Sequence, residues 1–123
     1  MNARTTKVDL KASDLRIGNY YLNEFGKTVL ADKTNLAYMI GMLDRDALKP
    51  ILLTPDWWEK FGFEWSQRRS WYSNGDWEFT RWEDHTYHIM EYASVSVTLK
   101  YVHDLQNLYY ALTKQELQIK EIA

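Results

Sequence analysis

Residues 68 to 82 read RRSWYSNGDWEFTRW, five aromatic side chains and three arginines in fifteen positions around a central Asn-Gly pair. Asn-Gly is the strongest short hairpin signal, because both residues tolerate the positive φ of a two-residue type I′ turn. A turn at Asn74-Gly75 puts Tyr72 opposite Trp77, Trp71 opposite Glu78, Ser70 opposite Phe79, Arg69 opposite Thr80 and Arg68 opposite Arg81. Strand side chains alternate, so one face carries Tyr72, Trp77, Ser70 and Phe79, with Arg68 and Arg81 at its far end. The other carries Trp71, Glu78, Arg69, Thr80 and Trp82. The first face predicts the core side. The second is half polar, and its two tryptophans either lie under the first helix or the N-terminal arm, or mark a contact surface.

Arg68 opposite Arg81 needs an offset, since like charges directly across a strand pair cost about a few tenths of a kcal/mol. Glu64, Glu83 or Asp84 could supply it internally, and a bound phosphate or carboxylate could supply it from outside. Tryptophan and arginine also dominate binding energetics at interfaces. The candidate ligand- or partner-binding set is therefore Arg68, Arg69, Trp71, Arg81 and Trp82.

The rest of the chain supplies an α+β frame. Residues 1–14 read as a flexible arm, and residues 15–123 as a single domain. "LRIGNYYL" and "KTVLADK" read as strands about a turn at Phe25-Gly26, and "NLAYMIGML" as a third strand with a bend or bulge at Gly41. "ILL" fits a further short strand, so the N-terminal part predicts a small antiparallel sheet or partial barrel. "LLTPDWWEKFGF" carries helix signals throughout: Thr54 as cap, Pro55 in the first turn, Asp56 at the positive end, Gly62 as the stop. From Phe63 the period falls to two and predicts an antiparallel meander. "ASVSVTLKY" alternates cleanly, with Val95, Val97, Leu99 and Tyr101 on one face. A C-terminal amphipathic helix follows, with Leu105, Leu108, Tyr109 and Leu112 as its apolar stripe. Thr113 to Glu116 fits a capping box that would restart a short helix.

Composition removes several functions. A chain of 123 residues without cysteine has no disulfide frame and no thiolate chemistry. Its net charge of −2 shows no basic surplus of the kind that a phosphate-backbone binder carries, which demotes nucleic acid to an alternative. "MNARTTKVDLKASDLR" is polar and charged, and the apolar runs are too short to span a bilayer, so a cytosolic location without membrane attachment is expected. His85 and His88 lie three apart, on opposite faces of a strand, which disfavours a shared metal. His103 reads as a surface or edge residue bonded to a neighbour. The acid pairs Asp44/Asp46 and Glu83/Asp84 read as solvated. Neither a phosphate loop nor a nucleophile elbow is present, so no catalytic residue, cofactor or metal is expected.

Three stretches, "LRIGNYYL", "ILLTPDWWEKFGF" and "VHDLQNLYYALT", together resemble a family of small uncharacterised proteins carried by bacteriophages and mobile elements of gut anaerobic bacteria. The resemblance covers about a third of the chain and leaves residues 64 to 93 unmatched. It implies a phage origin and hence the cytoplasm of a host cell, and it supplies no activity. The expected function is non-catalytic binding to a host or phage protein, with inhibition of a bacterial defence system as one purpose. Two alternatives use the same rings and guanidiniums: a sponge for a small nucleotide signal, and a single-stranded nucleic-acid binder. A twofold homodimer through a self-complementary aromatic face is also open.

Overall fold

Asn23 makes the first reversal of the chain. Its side-chain oxygen accepts hydrogen bonds from the backbone N–H of Phe25 (2.8 Å) and of Lys27 (3.0 Å), and Gly26 takes φ +76°. This clasp joins β1 (Tyr20–Leu22) to β2 (Thr28–Leu30) as an antiparallel hairpin with Tyr21 opposite Val29. The computed structural model describes residues 10–82, 86–89 and 98–120. It divides into two units, Met1–Ile51 and Leu52–Ala123. Most of the expected N-terminal arm lies outside the described residues, but Ala12–Asp14 forms a 3-10 turn.

Tyr21 is fully buried, so its hydroxyl must be satisfied internally. It accepts from the Arg16 backbone N–H (3.1 Å) and from Asn19 Nδ2 (3.3 Å), and donates to the Asp14 carbonyl. The Arg16 guanidinium in turn donates to Asn19 Oδ1 at 2.9 Å. The Arg-Ile-Gly-Asn stretch is thus a structural clasp around one phenol. Lys49 and Leu22 exchange two backbone hydrogen bonds and add a third extended segment to the hairpin.

The expected third strand, "NLAYMIGML", is instead helix α1 (Leu36–Asp44). Asp32 and Asn35 exchange backbone-to-side-chain bonds, both 2.9 Å, which pre-wind the chain just before the helix. Met39 and Met42 are then buried three residues apart on one face, beside Tyr21, Ala31 and Leu48. Gly41 marks no bulge; it is an ordinary helical position with open space around it.

In the second unit, α2 (Pro55–Lys60) starts and stops where the signals place it. The Thr54 carbonyl accepts from Trp57 and Trp58, while the Thr54 side chain makes no capping bond. Gly62 at φ +90° releases the chain, and Phe63 N–H returns to the Trp58 carbonyl at 3.0 Å. The antiparallel meander β3 (Glu64–Ser66), β4 (Trp71–Ser73), β5 (Glu78–Arg81) and β6 (Tyr87–Ile89) follows in that spatial order. "ILL" contributes only an isolated bridge between Leu52 and Tyr101.

The hairpin register differs from the expected one by two positions. Tyr72 pairs with Phe79, Trp71 with Thr80 and Ser73 with Glu78. Asn74 does not enter the left-handed region; only Gly75 does, at φ +98°. The Asn74 side-chain oxygen instead accepts from Asp76 N–H (3.0 Å) and Trp77 N–H (2.9 Å), spreading the reversal over residues 74–77. A slip of one would have inverted the faces; a slip of two preserves them. Tyr72 and Phe79 still share the buried face, and Trp71 and Thr80 the other.

Trp58 is the centre of the second core. Its ring lies 5.0 Å from Tyr72 in a parallel stack, and 5.0, 5.1 and 5.0 Å from Phe63, Phe79 and Tyr87. Helix α2 therefore covers the face that carries Tyr72, Phe79 and Tyr87. Leu99 bridges Tyr87, and α3 (Val102–Thr113) follows. Most of the expected strand over residues 93–101 lies outside the described residues. The Asp104 carboxylate accepts from the backbone N–H of Tyr101 (2.9 Å) and Lys100 (3.1 Å) at the start of α3.

The buried stripe of α3 is Val102, His103, Leu105 and Gln106, shifted toward the N-terminus from the expected one. His103 is thus interior, with Nε2 3.7 Å from Asp104 Oδ1, rather than at a surface or edge. Helix restart at Thr113 does not occur. Lys114 takes the left-handed conformation, and Thr113 Oγ1 turns back to donate to the Tyr109 carbonyl. The tail is pinned by Gln106 Nε2 donating to Leu117 O (3.2 Å) and by Lys120 N–H donating to Lys60 O (2.7 Å). Among the described residues, no helix is long and apolar enough to cross a membrane.

Candidate functional site

The sequence-selected residues separate into two places. Arg68 and Arg69 lie in the loop joining β3 to β4, because Ser66 pairs with Trp71 and β4 begins only at Trp71. Arg81 pairs with Tyr87 on β6, so the expected Arg68–Arg81 opposition does not exist. The cause is Ser70, which adopts φ +57° and ends the extended run before either arginine is reached. No like-charge repulsion needs a bound anion to offset it.

Trp71 and Trp82 lie on the face away from Trp58. The Arg69 guanidinium sits 5.2 Å over the Trp71 ring, and Trp71 is half-buried. Trp82 is 56% exposed, with its ring 4.4 Å from that of His88. The expectation that α2 hides these rings is not met, since α2 covers the opposite face. Each ring is already partnered, one by a cation and one by an imidazole.

Arg81 belongs elsewhere. It projects on the α2 side, 5.3 Å over the Trp65 ring, and Trp65 in turn packs 4.9 Å from Tyr72. These residues wall a groove of about 800 Å³ together with Pro55, Asp56, Glu59, Phe63, Glu64 and Gln67. Trp65 is 37% exposed there, while Tyr72 and Phe63 are buried and form its apolar depth. Asp56 pairs with Lys60 at 3.2 Å, one turn along α2. Among the described residues, Glu59, Glu64 and Arg81 have no oppositely charged group within ion-pair distance.

The Tyr72 hydroxyl registers both charge types. Burial raises its pKa above the usual phenol value and the neighbouring Tyr87 adds to this; Arg81 pulls it down, and Glu59 pushes it up. A carboxylate from α2 and a guanidinium from β5 therefore act on one phenol more than nine-tenths buried. A second, apolar concavity of about 360 Å³ is lined by Leu52, Leu53, Thr54, Pro55, Arg81 and Tyr87. Pro55 and Arg81 line both, and so form the partition between them.

The sequence reading set Arg81 opposite Arg68, and the structure sets it over Trp65 instead. Trp65, Glu59 and Tyr72 line the same groove and were not among the residues selected from the sequence. Among the described residues no group of three His, Asp or Glu side chains is placed to hold a metal ion. No protein-family model, no curated protein and no solved structure matches the chain.

Proposed function

We propose that the chain is a non-catalytic binding protein that docks a segment of another protein in the groove beside α2. The observation that supports it is the meeting of an aromatic wall, Trp65 over Tyr72, with charged groups that have no ion-pair partner among the described residues. Aromatic anchors beside an arginine are the side chains that carry most binding energy where proteins meet. A guanidinium held over an indole is also pre-oriented, so little rotamer freedom is lost when it engages a partner. The resemblance to phage-borne proteins makes a host or phage protein in the infected cell the proposed partner, and obstruction of a defence system the proposed purpose.

A photo-crosslinking residue at Gln67, on the groove rim, tests this in host lysate. A discrete adduct that disappears on Trp65→Ala, with the unfolding midpoint unchanged, is the expected result. An adduct that survives Trp65→Ala would remove the groove as the docking surface.

One observation favours a second reading. The Arg69–Trp71 and Trp82–His88 contacts stand on the opposite face, and a nucleotide base could add to such rings. A melting temperature raised by mono- or cyclic nucleotides, and lost on Trp82→Ala, would move the proposal to the sponge.

A further inference from the structure

The two concavities beside α2 share one partition, Pro55 with Arg81, yet differ in chemistry. One is lined by Leu52, Leu53 and Tyr87 and presents little that can hydrogen-bond. The other holds three carboxylates against one guanidinium, with an indole and a phenol as walls. Asp56 is answered by Lys60, so that among the described residues Glu59 and Glu64 are the groove carboxylates without an ion-pair partner. Glu59 comes from α2 and Glu64 from β3, so they approach the groove from its two sides.

We infer that the occupant is an extended protein segment bearing an aliphatic side chain two positions from a lysine or arginine, since only alternate side chains of an extended segment face one surface. This rests on the groove being the docking surface. The aliphatic side chain fills the smaller concavity against Leu53 and Tyr87. The cationic side chain lies against the exposed part of Trp65, and its end meets Glu59 and Glu64. Arg81, between the two, donates to main-chain carbonyls of the segment; a guanidinium carries five donors in a fixed fork. An acidic segment would meet the carboxylates and is excluded by repulsion.

The test uses heptapeptide amides with Leu-Ser-Lys, Leu-Ser-Arg, Leu-Ser-Glu or Ser-Ser-Lys at their centre, named below by their first and third residues and added to the intact chain. Indole N–H signals of Trp65 and Trp71 are followed by NMR, and affinity by fluorescence polarisation. Leu-Lys and Leu-Arg should shift the Trp65 signal and leave Trp71 unmoved. Leu-Glu and Ser-Lys should each bind about tenfold more weakly or worse. Glu59→Lys should reverse the Lys-over-Glu preference while the fold, checked by the unfolding midpoint, is kept. Binding at Trp65 that ignores charge, or prefers Leu-Glu, would overturn the inference and leave the groove in place. If no peptide moves Trp65 up to millimolar concentration, the inference falls; whether the groove falls with it is read from the Gln67 adduct.

Discussion

The two units bury their aromatic rings by opposite means. In the first, Tyr21 is hidden only because Arg16, Asn19 and the Asp14 carbonyl satisfy its hydroxyl, and its neighbours are methionines and a leucine. In the second, Trp58 is hidden by other rings: Tyr72 stacks on it, and Phe63, Phe79 and Tyr87 close around it. Its indole N–H falls short of good hydrogen-bonding geometry, although the Tyr87 hydroxyl is near enough for the indole to lower its pKa, so the ring contacts carry most of the burial. One core is specified by directed bonds, the other by shape and area. Directed bonds fail when a single partner is lost. A ring cluster fails by leaving a hole.

That contrast can be broken experimentally. Trp58→Ala should cost about 3–5 kcal/mol in chemical denaturation, because a fully buried ring is removed from among four others. A loss below about 2 kcal/mol would mean that the cluster collapses readily and shape matters less than claimed. Asn19→Leu should cost about 1–3 kcal/mol, since it removes one of the bonds to the buried Tyr21 hydroxyl and an acceptor of the Arg16 guanidinium. Gly62→Ala should cost about 1–2 kcal/mol, as the residue sits at φ +90° and a Cβ would meet Lys120 Cγ at 3.0 Å. Trp82→Ala, at an exposed ring, should change stability by about 0.5 kcal/mol or less.

The last difference is silent at neutral pH. Burial raises the pKa of Tyr21, Tyr72 and Tyr87 above the ordinary value of 10.0. The folded state therefore favours the neutral phenols. Their contribution is complete below pH 10 and is lost as pH rises through the folded values. Phenolate absorbance followed with circular dichroism should show these tyrosines ionising together with unfolding rather than before it.

How far the sequence reached depends on what each signal demands of the backbone. The α2 boundaries were readable because Pro55 and Gly62 constrain φ directly, whatever surrounds them. The face sorting of the aromatic hairpin was readable because alternation survives an even slip. The exact register was not, because Asn74 can serve either as a left-handed turn residue or as a side-chain acceptor, and it does the second. "NLAYMIGML" misled through Gly41, while the helix start was written in Asp32 and Asn35, whose mutual bonds have no strand counterpart. Arg68 and Arg81 were paired on an assumed continuous strand that Ser70 interrupts. The groove was beyond sequence reading altogether, since it joins α2, β3 and β5 across the second unit.

The attachment of the tail to α2 has a consequence for how the second unit opens. Lys120 N–H bonds to Lys60 O, far away along the chain, and Gln106 holds Leu117 beside it. Closing so distant a contact is entropically expensive, so it belongs among the late events of assembly. Because it spans the meander and α3, the Lys120 amide would surrender its proton only when that whole stretch lets go or the strap peels from its end. Its exchange rate under native conditions tells a fastener from a trailing thread.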